Sequence, residues 1–186
     1  MKYAGIINND VVNGQGVCVS FWSQGCPHRC PGCHNPNTWD YEGGIDGNDD
    51  EVINHVIDLI HKNNIQRNLS ILGGEPLCNK NLGFTHKLIE SVKDKYPDIK
   101  IFIWTGYSWE DLIYSIQIGN KVLSETNCDK LAKIIQNTDI LIDGKFEKEL
   151  RDIRLPLRGS SNQRIIDVRK TLKKEKIVLY AEDSKI

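Results

Sequence analysis

An α/β fold organised around parallel strands is what this chain of 186 residues predicts. Three observations carry the expectation. Apolar residues alternate with a period of two, then recur at helical spacing, and this exchange repeats along the chain. Each run read as a central strand ends in glycine, cysteine or charge, where pairing stops. The 39% of residues that are hydrophobic suffice for the core of one domain. Strands alternating with helices pair in parallel through right-handed crossovers, as an open sheet or as part of a barrel. In such folds ligands gather beyond the C-terminal ends of the strands.

Residues 16–22 alternate as a strand and run directly into a cysteine-rich loop. Over 49–64, Val52, Ile53, Val56, Ile57, Leu59 and Ile60 recur at helical spacing, and Asp49, Asp50 and Glu51 suit the positive end of a helix. Residues 69–72 are a second strand, ended by Gly73-Gly74-Glu75-Pro76, with a helix following through Leu82, Leu88, Ile89 and Val92. A third strand, 100–104, stops at Thr105-Gly106-Tyr107, and Trp109, Leu112, Ile113 and Ile116 line the helix after it. A helix around 129–136 leads into a fourth strand, 139–142, ending at Asp143-Gly144-Lys145. Beyond Phe146 the pattern weakens to a charged stretch and a loop, with short strand-like runs at 164–168 and 177–180. The topology alone therefore brings four unusual segments to one face.

The formal charge is −1, from 24 basic and 25 acidic residues, so nothing overall favours nucleic acid or an acidic membrane surface. The first ten residues lack the apolar core of a secretion signal, and no apolar run is long enough to span a bilayer; the expectation is a cytoplasmic protein. Six cysteines in such a chain are then expected as reduced thiols.

Cys26, Cys30 and Cys33 fall within eight residues. Three thiolates on one short loop hold three irons of a four-iron cluster and leave the fourth iron without a protein ligand. The ligand types also permit a zinc site completed by His28 or His34. Gly73 and Gly74 suit an ordinary turn or a close approach of backbone to ligand. Asp143 and Lys145 suit a polar strand end, or a pair in which lysine neutralises a carboxylate while aspartate engages an amine or hydroxyl. Residues 158–164 read either as a solvated connection or as a loop that shapes the site or docks a partner, with Arg158, Asn162 and Gln163 the residues to test. Cys18, Cys78 and Cys128 lack clustered spacing and are expected as buried thiols. The four tryptophans are by default packing residues.

The C-x-x-x-C-x-x-C loop, followed after the next strand by Gly-Gly-Glu-Pro, resembles the radical S-adenosylmethionine enzymes. Cys33-His34-Asn35-Pro36 and then Thr38-Trp39-Asp40 resemble the activating enzymes of glycyl-radical proteins. With 140–146 and 157–164 added, the resemblance narrows to the activases of anaerobic (class III) ribonucleoside-triphosphate reductases, and it extends to about Val168. It implies one domain over residues 1–186, folded as an incomplete βα barrel of the radical S-adenosylmethionine type. It further implies a 4Fe-4S cluster on Cys26, Cys30 and Cys33, with S-adenosylmethionine on the fourth iron. Gly73, Gly74, Glu75, Thr105, Gly106, Asp143 and Lys145 would contact that cofactor. The implied reaction is reductive cleavage to a 5′-deoxyadenosyl radical that installs a glycyl radical. The implied partners are the glycine-bearing loop of the reductase's large subunit and a low-potential electron donor such as a flavodoxin. Activation of pyruvate formate-lyase and a non-catalytic zinc module remain the alternatives. One departure is Gly32, which stands where many such enzymes place an aromatic residue against adenine.

Overall fold

The computed structural model describes residues 1–118 and 125–180; the remaining parts of the expected domain, 119–124 and 181–186, lie outside the described residues. The chain begins with strands β1 (Lys2–Asp10), β2 (Cys18–Ser23) and the short β3 (Ile45–Asp46). Helix α1 (Asp49–Ile60), β4 (Asn68–Gly73), α2 (Asn79–Lys95), β5 (Ile101–Trp104) and α3 (Trp109–Ile118) follow. After them come α4 (Glu125–Asn137), β6 (Ile140–Asp143), β7 (Arg164–Asp167) and α5 (Val168–Lys174).

The strands form one sheet in the order β3-β1-β2-β4-β5-β6-β7. The four strands anticipated as central, β2, β4, β5 and β6, are mutually parallel, with Phe21 opposite Ile71, Ile71 opposite Ile103 and Ile103 opposite Leu141. At the flanks β1, β3 and β7 pair antiparallel, directions for which the sequence pattern gives no expectation. Parallel neighbours need a crossover of a dozen or more residues, usually helical. The turn between β1 and β2 is too short for one, and no α-helix lies between β6 and β7.

Asn48 caps α1, its side chain accepting from the N–H groups of Asp50 and Glu51, and three acidic residues occupy the first turn. The helix stops at Ile60 rather than running to 64, because Asn63 and Asn64 adopt left-handed backbone (φ 59° and 57°) that turns the chain toward β4. The run at 177–180 is not a full strand; it makes one bridge, Leu179 to Ile166, with the Tyr180 N–H donating to the Ile165 carbonyl at 2.8 Å.

The two faces of the sheet are covered differently. Val19, Phe21, Leu69, Ile71, Ile101, Ile103 and Leu141 face a continuous core supplied by helices, including Val56, Ile60, Leu88, Val92 and Leu131. Each such buried aliphatic side chain contributes about 1.5–3 kcal/mol. On the other face Phe102, Ile140, Ile142 and Ile165 pack with Trp104, Leu157 and Tyr180, without helical residues. The turn between β1 and β2 folds onto this second face, so that a Cβ on Gly14 would meet the side chains of Cys18, Ser70 and Phe102. Among the described residues no helix is long and apolar enough to cross a membrane.

Candidate functional site

The segments that follow β2, β4, β5 and β6 meet around a cavity of about 440 Å³ on the helix-free side. Cys26, Cys30 and Cys33 line it, together with Gly73, Gly74, Glu75, Thr105, Gly106 and Lys145. Of the residues nominated from sequence, Asp143 is the exception.

The cysteine loop leaves β2 under backbone control. The Gly25 N–H donates to the Thr38 carbonyl at 2.8 Å and the Cys26 N–H to that of Trp39 at 3.1 Å. Asn81, buried on the first turn of α2, donates to the carbonyls of Gln24, Gly25 and Glu75. This residue was missed in the sequence; its only trace there is a polar side chain at a position that helical spacing does not exclude from the core. All six cysteines are free thiols, with Cys18, Cys78 and Cys128 buried. Burial pushes the Cys26 thiol up to about 11, against backbone donors from His28 and Arg29 and with the negative charge of Glu75 adding to the rise. Burial also raises Cys30, against the Phe146 N–H, with Cys33 adding and Lys145 opposing. Metal binding at these sites must therefore release protons.

Glu75 is 1% exposed and its carboxylate is fully engaged. Oε1 accepts from the Leu77 N–H at 3.0 Å and the Thr105 hydroxyl at 2.8 Å. Oε2 accepts from the Gly106 N–H at 2.7 Å and lies 2.9 Å from His28 Nε2. The groups expected to contact a cofactor here bind one another, as a buried carboxylate needs several donors. What the knot presents to the cavity is a fixed backbone. Gly73 and Gly74 are likewise required by the protein's own packing. A Cβ on Gly73 (φ 101°) would lie 2.8 Å from Ser23 backbone atoms, and one on Gly74 would lie 2.4 Å from the Gly25 carbonyl oxygen. The glycines let two strand ends approach each other.

Asp143 does not line the cavity. It is 1% exposed, accepts from the Trp109 N–H at 2.7 Å, which fixes the start of α3, and is gripped by the Arg164 guanidinium, which also pairs with Glu110. Of the pair, Lys145 alone lines the cavity. The 158–164 loop is no free connection. The Gln163 side chain donates to the Gly144 carbonyl at 2.9 Å and accepts from the Gly159 N–H, while the Asn162 amide donates to the Lys145 carbonyl. With Arg158, Gly159 and Gln163 it forms one wall of the cavity. Trp22, Trp39 and Trp104, expected only to pack, line it too, and the buried indole nitrogens of Trp22 and Trp39 have no hydrogen-bond partner among the described residues.

A family model described as a 4Fe-4S single cluster domain matches residues 12–166. The chain is 33% identical over 165 residues to a protein of Pasteurella multocida (strain Pm70), covering 88% of this chain and 95% of the relative. It is 32% identical over 166 residues to a protein of Escherichia coli (strain K12), covering 88% and 96%. It is 34% identical over 168 residues to one of Enterobacteria phage T4, covering 89% and 93%. Each relative is named anaerobic ribonucleoside-triphosphate reductase-activating protein. The chain belongs to this activating-protein family. The match to the cluster domain includes every cavity-lining cysteine.

The donor set fits an iron-sulfur cluster. A single zinc ion asks its ligands to converge on one point. A cluster makes no such demand, since each thiolate meets a separate iron. Three thiols around one cavity, with no fourth cysteine in its lining, supply the three-ligand set that this activating-protein chain offers.

Proposed function

We propose that this protein activates an anaerobic ribonucleoside-triphosphate reductase by radical S-adenosylmethionine chemistry. The observation that carries the reading is the convergence of the three closely spaced thiols and four strand ends on one cavity. When bound, a 4Fe-4S cluster and S-adenosylmethionine supply one-electron cleavage of a carbon-sulfur bond, giving methionine and a 5′-deoxyadenosyl radical that takes a hydrogen atom from a glycine α-carbon.

The chain's own residues prepare that event. Cys26, Cys30 and Cys33 would hold the cluster, a three-thiolate set that would leave room at it for S-adenosylmethionine. Lys145 neutralises the carboxylate, and the backbone at Gly73 and Gly74, held by the Glu75 knot, receives the ammonium. Thr105 and Gly106 act through that knot, and Asp143 fixes the end of β6 beneath Lys145. Helices on one face only, with the cavity on the other, support reading the sheet as an incomplete barrel within a single domain over residues 1–186. The open side admits a glycine-bearing loop of the reductase's large subunit. Val12, Leu155 and Leu157 border the cavity there, and the neighbouring Ile153 is 84% exposed, an apolar rim suited to a protein partner. The electron comes from a low-potential donor such as a flavodoxin, in the cytoplasm.

The test is anaerobic incubation of reconstituted, reduced protein with S-adenosylmethionine and the reductase, followed by electron paramagnetic resonance. A glycyl doublet on the reductase is expected. Stoichiometric zinc with negligible iron after oxygen-free reconstitution would end the proposal.

A further inference from the structure

His28 sits midway between Cys26 and Cys30, where C-x-x-x-C spacing asks nothing of the residue. Its side chain is nevertheless only 7% exposed and is held from three directions. Nε2 lies 2.9 Å from Oε2 of Glu75, and since a carboxylate accepts, Nε2 is the donor. The ring rests on Gly106, where a Cβ would come within 2.4 Å of Cδ2 and 2.7 Å of Nε2. The Tyr107 ring meets it edge-on, with centroids 4.6 Å apart. Thus one side chain of the cysteine loop is clamped by the residues that end β4 and those that end β5.

The loop's first residues are tied to the same rim by backbone: the Gly74 N–H donates to the Ser23 carbonyl at 2.8 Å and the Glu75 N–H to that of Gly25 at 2.9 Å. Past Cys26, among the described residues, His28 supplies the side-chain hydrogen bond from the loop to these strand ends. Gly106 is also explained by this arrangement. Its backbone does not need positive φ; it lacks a side chain because the imidazole occupies the space.

We propose that His28 is a positioning residue that sets the register between the cysteine loop and the strand ends that receive S-adenosylmethionine. The inference rests on the cluster and cofactor reading given above. A ligand that must bridge an iron on the loop and backbone at the strand ends senses any slip between the two, and a misplacement of about 1 Å at such a joint can cost about 100-fold in rate. His28 itself touches neither metal nor ligand in this role.

Wild type, His28→Gln, His28→Ala, Gly106→Ala and the His28→Ala/Gly106→Ala double variant are reconstituted anaerobically. Each is assayed for iron content, for equilibrium affinity for S-adenosylmethionine, and for the change that S-adenosylmethionine causes in the resonance signal of the reduced cluster. All are expected to carry wild-type iron, because the thiolates are untouched. His28→Ala should bind S-adenosylmethionine about tenfold more weakly or worse and lose the signal change, the scale of one hydrogen bond to a charged group. His28→Gln, whose amide can donate to the same oxygen, should recover most of both. Gly106→Ala should reproduce the loss by displacing the ring, yet add little in the His28→Ala background, since the two changes remove one contact. Wild-type affinity and signal in His28→Ala would overturn the proposal, as would additive losses in the double variant or failure of His28→Ala to take up iron. Absence of any signal change in iron-loaded wild type would instead sink the cofactor reading beneath it.

Discussion

Glu75 and Asp10 are buried carboxylates at opposite rims of the sheet, and each gathers four contacts. Asp10 accepts from the Val12 and Asn13 N–H groups, the Asn13 amide and the Ser20 hydroxyl, all within ten residues of chain. Glu75 draws on Leu77, Thr105, Gly106 and His28, three of which lie 30 or more residues away. The first knot closes the turn of the β1–β2 hairpin. The second exists only once three separate segments have met, and so it reports and maintains the alignment of the site. The same chemistry, a carboxylate saturated with donors, closes a local turn in one place and joins three distant segments beside the cavity in the other.

The harshest break of the functional rim is removal of a thiol. Replacing Cys26, Cys30 or Cys33 by alanine should abolish formation of 5′-deoxyadenosine in anaerobic assays, whereas Cys128→Ala, buried against the helices, should leave it intact. Equal loss at Cys128 would overturn the ligand assignment. Next in size, Glu75→Gln presents an amide donor where a carboxylate oxygen now accepts. It should cost about 3 kcal/mol in urea unfolding and weaken S-adenosylmethionine binding together with stability.

Asp10→Asn should separate those two readouts, costing about 1.5 kcal/mol while leaving cofactor cleavage per folded molecule unchanged. Acid sharpens the contrast. Burial raises the Asp10 carboxyl, but the hydrogen bonds of Ser20, Asn13 and Val12 outweigh it and hold the group below its ordinary 3.8. With the folded value below the unfolded one, the stabilisation is present above the unfolded value and is lost as pH falls through the folded one. Urea midpoints measured from pH 5 down to pH 3 should therefore drop more steeply for wild type than for Asp10→Asn. The smallest effect belongs to a site outside both knots: Asn48→Ala, which uncaps α1, should cost about 1 kcal/mol by the same unfolding measurement and leave cleavage unaltered.

The central strands and α1 were legible because period-two and helical spacing are local signals, and the cysteine spacing carried its chemistry with it. The antiparallel flanks were not, since the direction of pairing depends on where a neighbouring edge lies and not on the strand's own residues. Glu75 lies in the neighbourhood nominated for it, but its protein partners there could not be read from sequence. Its partners at 28, 105 and 106 meet it only through the fold, and no spacing rule links a histidine between two cysteines to a glycine 78 residues later. The surroundings of Asp143 were hidden for a related reason: beside Lys145 it looks like half of a ligand pair, while its pairing with Arg164, on an antiparallel neighbour, arises only in the fold. Asn81 and the loop at 158–164 hold backbone carbonyls, a task that leaves almost no imprint on composition.

Because the described α-helices pack on one side of the sheet and the candidate cavity opens on the other, the core and the proposed chemistry occupy different halves of the molecule. Repacking beneath α1, α2 and α4 is thus a route to a hardier catalyst that leaves its reactivity alone, while remodelling the loop walls opposite offers a way to retarget it without sacrificing the scaffold.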